Sequence, residues 1–168
     1  MTQEEMQLRS LEILENAQNT VDGLDALGVS PTSALSQGKR SVFTGETTTV
    51  VEDGINTAVY VGGSRVVVDL GDETISGDFD LEVGVDFAGQ FHTIDGEGTI
   101  ALTGDFGVLS EVTLEGDFES SEHTLSFTAD GFAELYGATV NGVAVLGGDL
   151  DARYDGQPVS VTVAIGAD

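Results

Sequence analysis

The chain lacks cysteine and tryptophan altogether and holds only two prolines, two histidines and five Lys+Arg among 168 residues. Without cysteine there is no disulfide, no thiol nucleophile and no thiolate metal site. With so few basic side chains, clamps for phosphoryl groups or oxyanions are scarce. The 30 Asp+Glu leave a formal net charge of −25. Such a surface repels phosphate, which argues against nucleic-acid binding and adhesion to anionic lipid. No apolar run approaches the roughly 20 residues that span a bilayer as a helix. Neither a Gly-x-Ser-x-Gly elbow nor a phosphate-cradling Gly-x-x-x-x-Gly-Lys is present. A non-enzymatic protein without a cofactor is therefore expected.

What is present is a chain that folds. Hydrophobic residues make up 40%, too many for a disordered acidic tail, and the length suits one core. Residues 1–23 are expected to form an amphipathic α-helix. Met6, Ile13, Leu14, Ala17 and Val21 recur at helical spacing, Thr2 and Glu5 suit a capping box, and Gly23 suits a C-terminal cap. Its Leu8, Leu11 and Leu14 are candidate contacts to a neighbouring subunit, should they be exposed. The start is acidic and has no signal-peptide pattern. Strong acidity with few lysines nevertheless fits an extracellular or cell-surface setting, with cytoplasm and virion as alternatives. Residues 24–40, rich in small residues and holding Pro31, suit a linker.

Residues 41–168 switch to period two. Runs such as RVVVDL, ETISGDFDLEVGVDF, SEVTLEGDF and PVSVTVAIG alternate Val, Thr, Ile and Phe with polar residues. Gly, Asp and Asn interrupt them every eight to twelve residues, which predicts an antiparallel all-β domain. Asp53-Gly54, Gly62-Gly63, Asp95-Gly96, Asp130-Gly131, Asn141-Gly142 and Asp155-Gly156 are turn dipeptides, of which Asn141-Gly142 also suits a bulge. Within the longest run, Ile75, Gly77, Phe79, Leu81, Val83, Val85 and Phe87 are placed on the apolar face. Asp78, Asp80, Glu82 and Asp86 fall on the acidic one. Closure removes a sticky open edge, so the expected architecture is an eight-stranded up-and-down barrel preceded by the helix. A recurring Gly-Asp-Phe phrase (Gly77-Asp78-Phe79, Gly104-Asp105-Phe106, Gly116-Asp117-Phe118) is expected to be strand grammar: Gly at a bend, Asp outward, Phe inward.

Few residues carry distinctive chemistry. His92 and His123 are the only imidazoles, and with carboxylates on adjacent strands they would form a metal site. Two unrelated histidines is the simpler expectation. Asp149-x-Asp151 and Asp155-Gly156 resemble a calcium loop only superficially, because Arg153 stands at the third ligand position and the bidentate Glu is missing. Weak divalent cation binding by the acidic surface is expected instead. The aromatics, Phe132 among them, are expected to fill the barrel. Tyr60 and Tyr136 are the candidates for ligand contact, since a buried hydroxyl needs a partner.

The segments SALSQGKRSVFTGETTTV, GGSRVVVDLGDETISGDFDLEV and FTADGFAELYGATVNGVAVLGGDLD, taken in order, resemble the transferrin-binding protein B-like barrel domain of Gram-negative surface proteins. In the last segment the resemblance rests on Tyr136, Gly137, Val140, Gly142, Val143 and Gly147. It implies an eight-stranded antiparallel barrel, surface or secreted display, and partners in haem, metal or host-protein acquisition. It does not extend to the family's lipoprotein cysteine or to the handle that carries transferrin contacts. The expected function is a secreted or surface-exposed binding module that binds a protein partner or self-associates. The alternative is a self-assembling structural subunit of a virion or filament, its helix reaching a neighbour.

Overall fold

The structure, a computed structural model, describes residues 40–107, 109–136 and 142–167. The expected helix with Leu8, Leu11 and Leu14, and the linker up to residue 39, lie outside these residues. Ten strands follow one another: β1 (Arg40–Glu52), β2 (Thr57–Asp69), β3 (Thr74–Phe79), β4 (Val83–Val85), β5 (Phe91–Leu102), β6 (Leu109–Ser120), β7 (Thr124–Tyr136), β8 (Gly142–Tyr154), β9 (Gln157–Pro158) and β10 (Ser160–Ala167). All pairings are antiparallel, and β1 pairs both β2 and β10, so the sheet closes on itself. β3 and β4 are two halves of one broken strand between β2 and β5. The short β9 only extends the turn after β8. The result is a closed eight-stranded antiparallel barrel, as the alternating runs predict.

Burial follows the alternation. On β6, Ser110, Val112, Leu114, Gly116 and Phe118 are buried while Leu109, Glu111, Glu115, Asp117 and Glu119 are exposed. The outer wall thus carries acids at alternate positions, the reverse of a lipid-facing barrel with its apolar outer band. Among the described residues no helix is long and apolar enough to cross a membrane. Phe132 is 49% exposed, on the outer face of β7, contrary to the expectation that it fills the lumen. Leu125, Phe127, Ala129, Gly131, Ala133 and Leu135 occupy the inward phase of that strand, so residue 132 must point out.

The interior is filled by rings laid over glycines. Phe79, Phe118 and Phe127 form a triangle with centroids 5.9, 6.2 and 6.3 Å apart. Each faces a glycine across the ladder: Phe79 pairs Gly98, Phe118 pairs Gly96 and Phe127 pairs Gly116. Tyr60 likewise pairs Gly84. A Cβ built on Gly98 would lie 2.2 Å from the Phe79 ring, and one on Gly84 would lie 1.9 Å from Tyr60. Glycine at these positions is the space a ring occupies. This amends the expected grammar: Gly116 and Phe118 share the inner face, and the glycine makes room for a neighbour's ring.

Two of the turn dipeptides lie where expected. Gly54 has φ 96° between β1 and β2, and Asp155 and Gly156 have φ 53° and 78° after β8. Gly62-Gly63, Asp95-Gly96 and Asp130-Gly131 lie inside strands instead. Gly62 sits where the neighbouring strand presses close: a Cβ there would meet the Asp80 carbonyl oxygen at 2.2 Å. That crowding marks the break between β3 and β4. Phe79 pairs Ser64 but Val83 pairs Val61, so three residues oppose two and a bulge results. The extra residue reverses the phase of the strand. Val83 and Val85 become half-buried, Gly84 is buried, and Asp86 turns inward with 4% exposure rather than joining the acidic face.

Candidate functional site

The bulge delivers a carboxylate to one mouth of the barrel, and three neighbouring segments bring its partners. Asp86 opens the 86–90 loop and shapes it as an Asx turn. Its Oδ1 accepts hydrogen bonds from the amides of Ala88 (2.9 Å) and Gln90 (2.8 Å). The Asp86 amide in turn donates to the Gln90 carbonyl at 2.9 Å. One carboxylate oxygen is thereby fixed, and the other, Oδ2, points at two imidazoles. His92, buried on β5 opposite Gly84, brings Nε2 to 2.7 Å. His123, in the turn between β6 and β7, brings Nε2 to 3.1 Å.

His123 is held on every side. Its amide donates to Ser120 Oγ at 3.0 Å, and its carbonyl accepts from the Ser120 amide at 2.7 Å. Its Nδ1 lies 2.7 Å from Asp155 Oδ2, while Asp155 Oδ1 accepts from the Thr124 amide at 2.9 Å. The Tyr154 ring stacks on the imidazole with centroids 5.1 Å apart, and His92 meets it edge-on at 4.8 Å. Phe87 closes against Tyr154 at 4.9 Å. Asp86, His92 and His123 thus bring one oxygen and two nitrogens within 4.8 Å of one another.

The electrostatics follow from this packing. Burial works to raise the Asp86 carboxyl, but hydrogen bonds from Gln90, His92, His123 and Ala88 outweigh it and hold the group below its ordinary value. For His123, burial opposes the charged form, yet the Asp155 and Asp86 carboxylates prevail and raise it above its ordinary 6.5. Carboxylates only accept, so an imidazole with a carboxylate at each nitrogen satisfies both by carrying both protons. Both acids thus favour the imidazolium form of His123. Below the cluster the hydroxyls of Tyr60 and Tyr154 meet at 2.5 Å. Burial dominates in both: it pushes Tyr60 up to about 12 and raises Tyr154 further, so both phenols stay neutral.

The structure brings the two histidines together, although they are 31 positions apart in the sequence and two separate residues was the simpler expectation. It places Tyr60 fully inside, its hydroxyl partnered by Tyr154. Tyr136 closes β7, and its side chain lies outside the described residues. Sequence reasoning missed Asp86, Asp155 and Tyr154 as parts of one site. Asp155 was visible only as a turn residue. For Asp86 the available signal was an Asp followed three positions later by Gly89, a turn pattern within an apparently regular strand.

Against known proteins the chain matches no family model, no curated protein and no solved structure. The chemistry of the mouth therefore rests on its own geometry. Two imidazoles and a carboxylate converge there; Asp86 is fixed from behind by two backbone amides, and His123 by Asp155 and the stacked Tyr154 ring.

Proposed function

We propose that this chain is a non-enzymatic binding module, secreted or displayed at a cell surface, that takes up its ligand at the mouth built by Asp86, His92 and His123. The ligand class we assign is a nutrient metal or haem. The observation that carries this reading is the convergence of those three side chains at one end of a barrel whose interior is already filled by Phe79, Phe118 and Phe127. With rings in the lumen, Asp86, His92 and His123 are the converging metal-ligand-type side chains among the described residues. The sequence likeness to the transferrin-binding protein B-like barrels supports display and nutrient acquisition. The reading as a non-enzyme is supported by the buried phenols of Tyr60 and Tyr154, which stay protonated, and by His123 lying between two carboxylates that favour its charged form.

Titration of the full chain with haemin and, separately, with zinc tests this, following the imidazole resonances of His92 and His123 by NMR. Saturable perturbation of both residues by at least one ligand is expected. If neither ligand moves either resonance, the mouth is not a binding site.

A second reading, self-assembly as a structural subunit, is favoured by a different observation. Phe132 and Leu146, 49% and 57% exposed, are direct cross-strand partners on the outer wall, and Leu109 is 58% exposed one strand away. Clustered apolar side chains on an otherwise acidic wall suit a contact with a second copy.

A further inference from the structure

We infer that Asp86 Oδ2, His92 Nε2 and His123 Nε2 form a three-ligand site for a divalent first-row transition metal of the zinc class, with Asp155 orienting His123. This rests on the mouth being the binding site and specifies what it binds. Two imidazole nitrogens and one carboxylate oxygen are donors that suit zinc, copper, nickel or cobalt, whereas calcium and magnesium prefer oxygen alone. The spacing fits. Ligand atoms around a tetrahedral ion at bonds of about 2.0–2.1 Å stand roughly 3.3 Å apart. The two Asp86–imidazole separations are 2.7 and 3.1 Å. Widening these two, and drawing together the imidazole nitrogens, which lie within 4.8 Å of one another, lets the ion replace the protons now shared with Asp86.

The surroundings are those of a metal centre rather than of a chance contact. A metal-bound histidine commonly donates its other ring N–H to a carboxylate, and His123 Nδ1 already lies 2.7 Å from Asp155 Oδ2. A ligating carboxylate is commonly hydrogen-bonded as well, and Asp86 Oδ1 accepts from two backbone amides. The ligands stand on β5 and on two short turns, so little reordering is needed. Three protein ligands leave a fourth position for water or for a group brought by a partner.

Isothermal titration of the full chain with zinc, and the visible spectrum after titration with cobalt, test the assignment. One ion per chain is expected, with the strong visible bands of four-coordinate cobalt and no competition from excess calcium. Asp155→Asn is expected to weaken binding by about tenfold to a hundredfold while keeping the one-to-one ratio. His92→Gln, His123→Gln and Asp86→Asn are each expected to weaken it more and to abolish the cobalt bands. Circular dichroism checks that each variant folds. Should one unfold, the perturbation of its imidazoles in the unaltered chain takes its place. Unaltered affinity in the folded variants, or calcium competing on equal terms, would show unspecific acidic binding and overturn the site. Haemin perturbing the mouth while zinc does not would overturn the metal but leave the mouth as a binding site. Silence with both ligands would overturn both.

Discussion

At the scale of single residues, the mouth couples charge to stability, and the sign follows from the direction of each shift. His123 titrates above its ordinary 6.5 in the folded barrel. Its pairing with Asp155 and Asp86 therefore stabilises the fold fully below pH 6.5, and the contribution is lost as pH rises through the raised value. Asp86 titrates below its ordinary 3.8, so its contribution is present above that value and is lost as pH falls through the lowered one. His123→Asn is accordingly expected to lower the thermal midpoint in mildly acidic solution by about 2–4 °C, or about 1 kcal/mol. The figure is modest because Asp155, 43% exposed, is partly screened by water. At alkaline pH the variant and the unaltered chain should converge. Melting curves across the pH range check this, and a difference that grows with pH would contradict it.

At the scale of elements, the pairing of rings with glycines explains why this barrel uses so much glycine inside strands. Phe79 and Gly98 are cross-strand partners, and the ring lies where a Cβ would be. Gly98→Ala is expected to destabilise the fold by about 2–3 kcal/mol, because the ring must leave its place in the triangle. Gly148→Ala is the control: nothing lies within 4 Å of its Cβ position, and an effect within about 0.5 kcal/mol is expected. Denaturant midpoints of the two variants test the pairing, and equal effects would refute it. The strand break at residues 80–82 belongs to this scale too. Alternation read straight through ETISGDFDLEVGVDF puts Asp86 among the solvent-facing acids, and a single extra residue opposite Gly62-Gly63 reverses that. A bulge of one residue leaves no clear mark in hydropathy, because Val83-Gly84-Val85 reads equally well in either phase.

At the scale of the whole molecule, like charges line the outer wall. Asp95 faces Glu119 and Glu97 faces Asp117 directly across β5 and β6, pairs that repel by a few tenths of a kcal/mol each. Together with a net charge of −25, this holds copies of the chain apart at low ionic strength, and salt removes the barrier within a Debye length of about 10 Å or less. If Phe132 and Leu146 meet a second copy, light scattering should show mass increasing with salt. Phe132→Ser with Leu146→Ser should abolish the increase, and a monomer in all conditions would remove the assembly reading. Composition and alternation determined by themselves that this chain makes an acidic antiparallel β domain with one apolar face, because period-two burial is a local property that each strand carries on its own; closure came from β1 pairing β10. Which acid turns inward, and that His92 and His123 meet, was decided only by the folded sheet. Both depend on a register shift and on turns that bring distant segments to one mouth, and such placement is a property of the pairing between strands, not of any one of them.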